Sequence, residues 1–116
     1  MKIGTDIVQI SRIATSVEKF GTRFLTRFLT QDEIQTLSHR TESLAGYWAA
    51  KEAVAKALGC GIGRELGFHD IRLSKDPKGA PRFALSSEAQ KHFGISESSL
   101  SISHDGGFAL AVVALT

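Results

Sequence analysis

The chain has 116 residues, a formal net charge of +2 and a hydrophobic content of 42%. This length suits one domain over residues 1–116, and the composition excludes a disordered or collagen-like chain. So small a net charge is also unlike the broad basic surface of a nucleic-acid-binding protein, so we expect no nucleic-acid partner.

Cys60 is the only cysteine, which excludes an internal disulfide and a cysteine-built zinc site and suits a reducing compartment. Near the start, Asp6 and Gln9 interrupt the apolar segment MKIGTDIVQI, which therefore lacks the continuous apolar region of a signal peptide. No later segment has the length of a membrane span. We expect a cytoplasmic protein with no membrane partner.

The first part of the chain predicts one strand and two helices. Ile3–Ile10 is rich in β-branched residues and predicts the strand, and SRIATSVEKF predicts an amphipathic helix. In TRFLTRFL the four-residue repeat places Phe24 and Phe28 on one helical face, and Arg23 and Arg27 on another.

Two further helices are predicted before the middle of the chain. Thr30 and Glu33 match a capping box, which predicts a helix running to about His39. Leu44–Leu58 has the strongest helix propensity in the chain, and Gly59 is placed for the left-handed residue that ends such helices.

The second part of the chain predicts two hairpins around a short helix. Asp76–Gly79 forms the turn of the first hairpin, and Asp105–Gly107 forms the turn of the second. Ser87 and Gln90 match a capping box for the intervening helix, which would end at Gly94. Because hairpins dominate the connections, we predict an α+β fold with a small antiparallel sheet packed with helices.

The last predicted strand is apolar on both faces. Phe108, Leu110 and Val112 alternate with alanine, valine and leucine on the opposite face. A sheet this small rarely covers both of its faces, and an exposed apolar strand favours aggregation. We therefore expect a partner subunit to cover the second face.

Three residues of the strand and the alanine-rich helix carry the candidate chemistry. Asp6 lies on the inward face of the first strand, so it either caps local amides or is paired with a cation. Glu52 and Lys56 stand one turn apart, which is typical of a surface ion pair. The alternative joins Asp6 and Glu52 as ligands of Mg²⁺, with Lys56 facing a substrate phosphate.

His104 ends a strand beside a glycine turn, where side chains often face ligands. A single histidine in such a place is more often structural, so its function depends on convergence with Asp6 and Glu52. The glycine-rich segment GCGIG lacks the lysine and hydroxyl of a P-loop, and KDPKGAP also suits an ordinary hairpin turn.

Taken together, GTDIVQISRI, RFLT, LAGYWAAKEAVAKALGCGIG, KDPKGAP and SISHDGGFALAVV resemble the holo-acyl carrier protein synthases, the small 4′-phosphopantetheinyl transferases. The resemblance extends from Ile3 almost to the C-terminus. It implies an enzyme of fatty acid biosynthesis that moves phosphopantetheine from coenzyme A to a serine of apo-acyl carrier protein, releasing adenosine 3′,5′-bisphosphate. It also implies a homotrimer with active sites between subunits.

The resemblance also assigns roles to residues of the candidate site. It implies that Asp6 and Glu52 are the Mg²⁺ ligands and that Lys56 is a phosphate-binding residue and a candidate acid. It also implies that His104 contacts the ribose phosphate of the coenzyme. Gly63 and the turn from Gly79 to Pro81 would lie near the nucleotide. The family often has lysine within that turn, where this chain has Ala80. The proton acceptor for the serine stays open between Glu52 and a metal-bound water.

Acyl carrier proteins are acidic around the receiving serine, so a basic docking surface is expected. Arg12, Arg23 and Arg27 are the candidates, and ordinary solvated charge is the alternative. A non-catalytic binder of coenzyme A or nucleotides is the competing function. An RNA-binding module is disfavoured, because the predicted strands lack an aromatic platform.

Overall fold

The computed structural model describes all 116 residues. Five strands, five α-helices and one 3₁₀ turn at Phe68–Asp70 follow in the order β1 Lys2–Gln9, α1 Ile10–Phe20, α2 Thr22–Phe28, α3 Gln31–Thr36, α4 Thr41–Ala57, β2 Ile71–Lys75, β3 Pro81–Leu85, α5 Ser87–Phe93, β4 Ser98–Asp105 and β5 Phe108–Leu115. None of the helices is both long and apolar enough to cross a membrane. The predicted α+β class is confirmed.

The strands form two antiparallel sheets rather than the one expected. The larger sheet has the order β1-β5-β4, and β2 and β3 pair separately as a hairpin. In the larger sheet Asp6 lies opposite Ala111, which in turn lies opposite Ile102. Gly106 and Gly107 join β4 to β5 with positive φ angles of 58° and 86°, which is the backbone that a two-residue hairpin turn requires.

Helix α4 packs on one face of the larger sheet because small residues let the two backbones come close together. Gly4 of β1 makes the closest approach. A Cβ atom at this position would overlap the carbonyl oxygen of Ala53 and lie 2.6 Å from the amide nitrogen of Ala57. Only glycine fits there, and the contact places β1 directly beside the C-terminal half of α4.

The opposite face of the same sheet is open in the single chain. Its apolar side chains are exposed, with Ile3 and Ile7 at 65% and 61%. Phe108, Leu110 and Val112 continue this face across β5, whereas the alternate residues of β5 are buried against α4. The predicted alternation along the last strand is therefore confirmed.

The α2 helix contributes to an aromatic cluster beside α4. The rings of Phe24 and Phe28 lie 5.0 Å apart, and Trp48 and Phe68 complete the cluster. Both α2 phenylalanines are buried, while the arginines of the same helix are exposed. The predicted division of the TRFLTRFL repeat into two faces is confirmed.

The capping-box prediction is right at Thr30, whereas the end of its helix and the N-cap of α5 need correction. Thr30 and Glu33 form both hydrogen bonds of the capping box. Their helix ends at Thr36, before the expected His39, because Leu37 already has an extended backbone. The cap of α5 is Ser86 rather than Ser87, since the Ser86 hydroxyl accepts the hydrogen bond from the Ala89 amide.

Asp70 links the connection after α4 to the residue that follows β3. Its carboxylate accepts hydrogen bonds from the Gly67 amide at 2.9 Å and from the Ser86 hydroxyl at 2.7 Å. These bonds favour the charged form and hold the pKa of Asp70 below its ordinary value.

Candidate active site

The β1-α4 contact brings together the acidic and basic side chains predicted to carry chemistry. Asp6 Oδ1 accepts a hydrogen bond from Lys56 Nζ at 2.9 Å. Asp6 therefore does not cap local amides, and Lys56 pairs with Asp6 rather than with Glu52 on its own helix. Two acids distant in the sequence and one ammonium share a site because Gly4 allows the strand to lie against the helix.

Glu52 lies half-buried in the same cluster. Burial raises the pKa of Glu52, the negative charge of Asp6 raises it further, and the Lys56 ammonium opposes this shift. The two carboxylates therefore interact across the contact between β1 and α4. We call Asp6, Glu52 and Lys56 the acid-lysine cluster.

The chemistry of the acid-lysine cluster fits a hard divalent cation. The chain has no group of three or more histidine, cysteine, aspartate or glutamate side chains placed to hold a metal. Mg²⁺ needs fewer protein ligands, because it commonly takes one or two carboxylates together with water and substrate phosphates. Asp6 and Glu52 are two carboxylates of this kind, and their mutual repulsion would be relieved by a cation.

The other predicted ligand contacts lie apart from this cluster in the single chain. His104 is exposed near the end of β4, on the far side of β5 from β1, and its side chain makes no hydrogen bond or ion pair within the chain. Gly63 lies in the connection after α4, and its amide donates to the Leu66 carbonyl. The turn from Gly79 to Pro81 belongs to the separate β2-β3 hairpin. One chain does not bring these residues into contact with Asp6.

The tip of the β2-β3 hairpin is preorganised by Asp76. Its Oδ1 atom accepts hydrogen bonds from the amides of Lys78 and Ala80, both at 2.9 Å, and Gly79 has a φ of 89°. Ala80 is exposed at this tip and offers no charge to a ligand.

Comparison with known proteins identifies the family of this site. Residues 2–113 match the model of the 4′-phosphopantetheinyl transferase superfamily. The chain belongs to this superfamily. It is 56% identical to the holo-(acyl-carrier-protein) synthase of Sulfurovum sp. (strain NBC37-1), over 99% of this chain and 96% of that protein. The corresponding enzyme of Wolinella succinogenes is also 56% identical, over 97% of this chain and 95% of that protein.

A solved structure of a phosphopantetheinyl transferase matches the whole fold. The holo-(acyl-carrier-protein) synthase of Helicobacter pylori, in complex with coenzyme A, has a TM-score of 0.95 and 51% identity. The match covers 98% of this chain and 99% of that one. The resemblance drawn from the sequence motifs is thus confirmed, and the chain is a phosphopantetheinyl transferase.

The three arginines predicted to dock the carrier of this transferase are all on the surface. Arg12 lies on α1, and Arg23 and Arg27 lie on α2. Each is exposed, and none forms an ion pair within the chain. Their guanidinium groups are free for an external acidic partner.

Sequence reasoning missed a buried ion pair in this transferase. Lys51 Nζ donates to Glu33 Oε1 at 2.7 Å, and the two side chains are 0% and 2% exposed. Burial lowers the pKa of Lys51, and Glu33 opposes this shift. The capping box already gave Glu33 a local role, so no distant partner was expected for it. The only sign of the ion pair in the sequence was a lysine on a helix otherwise rich in alanine.

Proposed function

We propose that this chain transfers 4′-phosphopantetheine from coenzyme A to a serine hydroxyl of apo-acyl carrier protein, with Mg²⁺, and releases adenosine 3′,5′-bisphosphate. The synthases of the relatives and the coenzyme A complex of the Helicobacter pylori enzyme support this proposal. The acid-lysine cluster is the observation that carries it, because it combines two carboxylates of the kind that Mg²⁺ prefers with an ammonium of the kind that pairs with phosphate. The single cysteine suits the reducing cytoplasm in which we place the reaction.

The proposed reaction exchanges one phosphorus-oxygen bond for another. The serine oxygen forms a bond to the phosphorus that carries pantetheine, and the bond from this phosphorus to the bridging diphosphate oxygen breaks. The serine proton passes to a general base, either Glu52 or a water held in the site, and the bisphosphate leaves with the bridging oxygen. Such a transfer depends mainly on positioning and on neutralisation of charge, and it needs no covalent intermediate with the protein.

Asp6 and Glu52 would hold Mg²⁺ in this reaction. When bound, Mg²⁺ supplies Lewis-acid stabilisation to phosphate oxygens. Asp6 is only 14% exposed and Glu52 is half-buried, so both carboxylates are held by the packing of β1 against α4. This rigidity would keep the donor set in place between turnovers.

Lys56 would neutralise the charge of the phosphate groups. Its side chain is 53% exposed, so it can turn from Asp6 toward a bound diphosphate without disturbing the core. Lysine acts on phosphate as a mobile point charge, which suits charge that develops on the leaving group.

The transfer is tested by incubating the protein with coenzyme A, Mg²⁺ and apo-acyl carrier protein and measuring the intact mass of the carrier. We expect the carrier to gain one phosphopantetheine group, with no gain when Mg²⁺ is chelated. If coenzyme A binds and the carrier mass does not change, the chain is a binding module. A gain that persists without any divalent cation would contradict the assignment of the metal.

We also propose that the chain forms a homotrimer with active sites between subunits. The open apolar face of the larger sheet supports an assembly, because Ile3, Ile7 and Leu110 are exposed there. A neighbouring subunit would also supply His104 and the Gly79–Pro81 turn, which lie apart from the acid-lysine cluster in one chain. Sedimentation equilibrium is expected to give three times the chain mass, and a monomer at micromolar concentration would refute the assembly.

We propose that Arg12, Arg23 and Arg27 bind the acidic surface of the carrier. Their exposure and lack of ion pairs support this role, since a solvated guanidinium can pair with a partner without breaking contacts in the chain. Salt should therefore raise the KM for the carrier more than the KM for coenzyme A.

A further inference from the structure

We propose that the buried ion pair of Glu33 and Lys51 is a positioning device that fixes the rotation of α4 and so the placement of Glu52. The proposal rests on the metal site proposed above and extends it to residues outside that site. Neither Glu33 nor Lys51 belongs to the acid-lysine cluster, and their effect on the reaction would pass through α4.

The Glu33 carboxylate connects three parts of the fold that are distant in the sequence. Its Oε1 atom accepts from the Thr30 amide at 2.8 Å and from Lys51 Nζ at 2.7 Å. Its Oε2 atom accepts from the Leu73 amide at 2.7 Å. One side chain thereby joins the start of α3, strand β2 and helix α4.

Lys51 completes this network from the side of α4. Besides Glu33, its ammonium donates to the backbone carbonyl of Phe68 at 3.1 Å. One partner lies on α3 and the other in the 3₁₀ turn, whose Phe68 ring lies 4.9 Å from that of Trp48 on α4, and the lysine side chain is fully buried. An ammonium in such a place cannot exchange its partners for water, so the helix is held at one rotation relative to α3 and the 3₁₀ turn.

Lys51 immediately precedes Glu52, so the two side chains leave the helix about 100° apart. Gly4 contacts α4 at Ala53 and Ala57, on the side of β1. This contact fixes the distance between the strand and the helix. The buried pair restrains the helix through directional bonds to other elements, and together the two restraints set where Glu52 points.

Small errors in the placement of Glu52 would weaken the metal site. Functional groups need placement within about 0.5 Å, and loss of supporting contacts around metal ligands typically lowers metal affinity roughly 10- to 100-fold. We therefore expect loss of the buried pair to weaken cation binding even in a protein that is fully folded.

The test compares Mn²⁺ binding, followed through the electron paramagnetic resonance signal of the free ion, in the whole protein and a double variant. Glu33→Gln with Lys51→Met removes both buried charges at similar volume, a type of change that folded proteins often tolerate. We expect the folded double variant to bind Mn²⁺ roughly tenfold more weakly or worse. The matched control, Arg40→Met with Glu42→Gln, removes the exposed pair at the start of α4 and should bind Mn²⁺ like the original protein.

The same titration in a Glu52→Gln background separates positioning from stability. If the buried pair acts through Glu52, its removal has no further effect on Mn²⁺ affinity in that background. Unchanged Mn²⁺ affinity of the double variant, or an equal loss in both backgrounds, overturns the inference. If the double variant does not fold, Glu33→Gln alone is measured by the same criteria, and failure of both to fold assigns the pair to stability alone. Equal Mn²⁺ binding by the original protein and by the Glu52→Gln variant would instead refute the proposed metal site.

Discussion

Replacing Gly4 by alanine tests whether the close β1-α4 contact builds the acid-lysine cluster. The new Cβ atom would overlap the Ala53 carbonyl and lie 2.6 Å from the Ala57 amide nitrogen. Both are backbone atoms of a helix, so no side chain can move aside to relieve the overlap. Overpacking typically costs about 1–3 kcal/mol, and we place this substitution at about 3 kcal/mol because strand and helix must separate.

For a chain of this length, a loss of about 3 kcal/mol lowers the melting temperature by roughly 12 °C. Separation of the strand from the helix also moves Asp6 away from Lys56, so we expect turnover to fall at temperatures where the variant is still folded. Melting is followed by circular dichroism, and turnover by the intact mass of the carrier. Gly63→Ala is the control for stability alone, because no atom lies within 4 Å of its added Cβ. A melting temperature within about 3 °C of the original, with unchanged turnover, would refute the reasoning.

Four further outcomes are expected. Glu52→Gln should raise the melting temperature of the metal-free protein at pH 7, because the raised pKa of Glu52 means that its charged form destabilises the fold above that pKa. In the same variant, turnover should fall roughly 100-fold or more, and Mg²⁺ should no longer raise the melting temperature. Lys56→Met should tighten Mn²⁺ binding to the free protein, seen by titration, because the ammonium no longer occupies Asp6, while turnover falls. Asp70→Asn should lower the melting temperature at pH 7 by roughly 4 °C, and the difference should shrink as pH falls below about 4, because a depressed pKa stabilises the fold only while the carboxylate is charged. Arg12→Ala should raise the KM for the carrier several-fold at low salt, with the KM for coenzyme A nearly unchanged, and an unchanged carrier KM would contradict docking at this residue.

Much of the candidate site follows from local patterns in the sequence. Alternation along β1 places Asp6 on the inward face, and the four-residue spacing of Glu52 and Lys56 places both on one side of α4. The sequence does not predict whether Lys56 pairs with Asp6 or with Glu52, since the four-residue spacing also suits an ion pair within the helix. The choice depends on the distance between strand and helix, which Gly4 sets.

The buried pair could not be predicted, because two local patterns hid it. The capping box gives Glu33 a complete role at the start of α3 without any tertiary partner. Helix α4 has alanine on several sides, so no apolar stripe indicates which direction Lys51 faces. The division of the strands into two sheets was not predicted for a related reason. Pairing between strands that are distant in the sequence cannot be read from the residues of either strand alone.

Strand β2 pairs only with β3, so its other edge is of the kind from which free backbone groups often recruit a strand from another molecule. In this fold the Leu73 amide is already bonded to the Glu33 carboxylate, so a foreign strand would have to displace a buried charge to pair there. We therefore expect the carboxylate to protect this edge of the hairpin from pairing with a strand of another molecule. Loss of this protection would first become visible as aggregation of a protein that still folds.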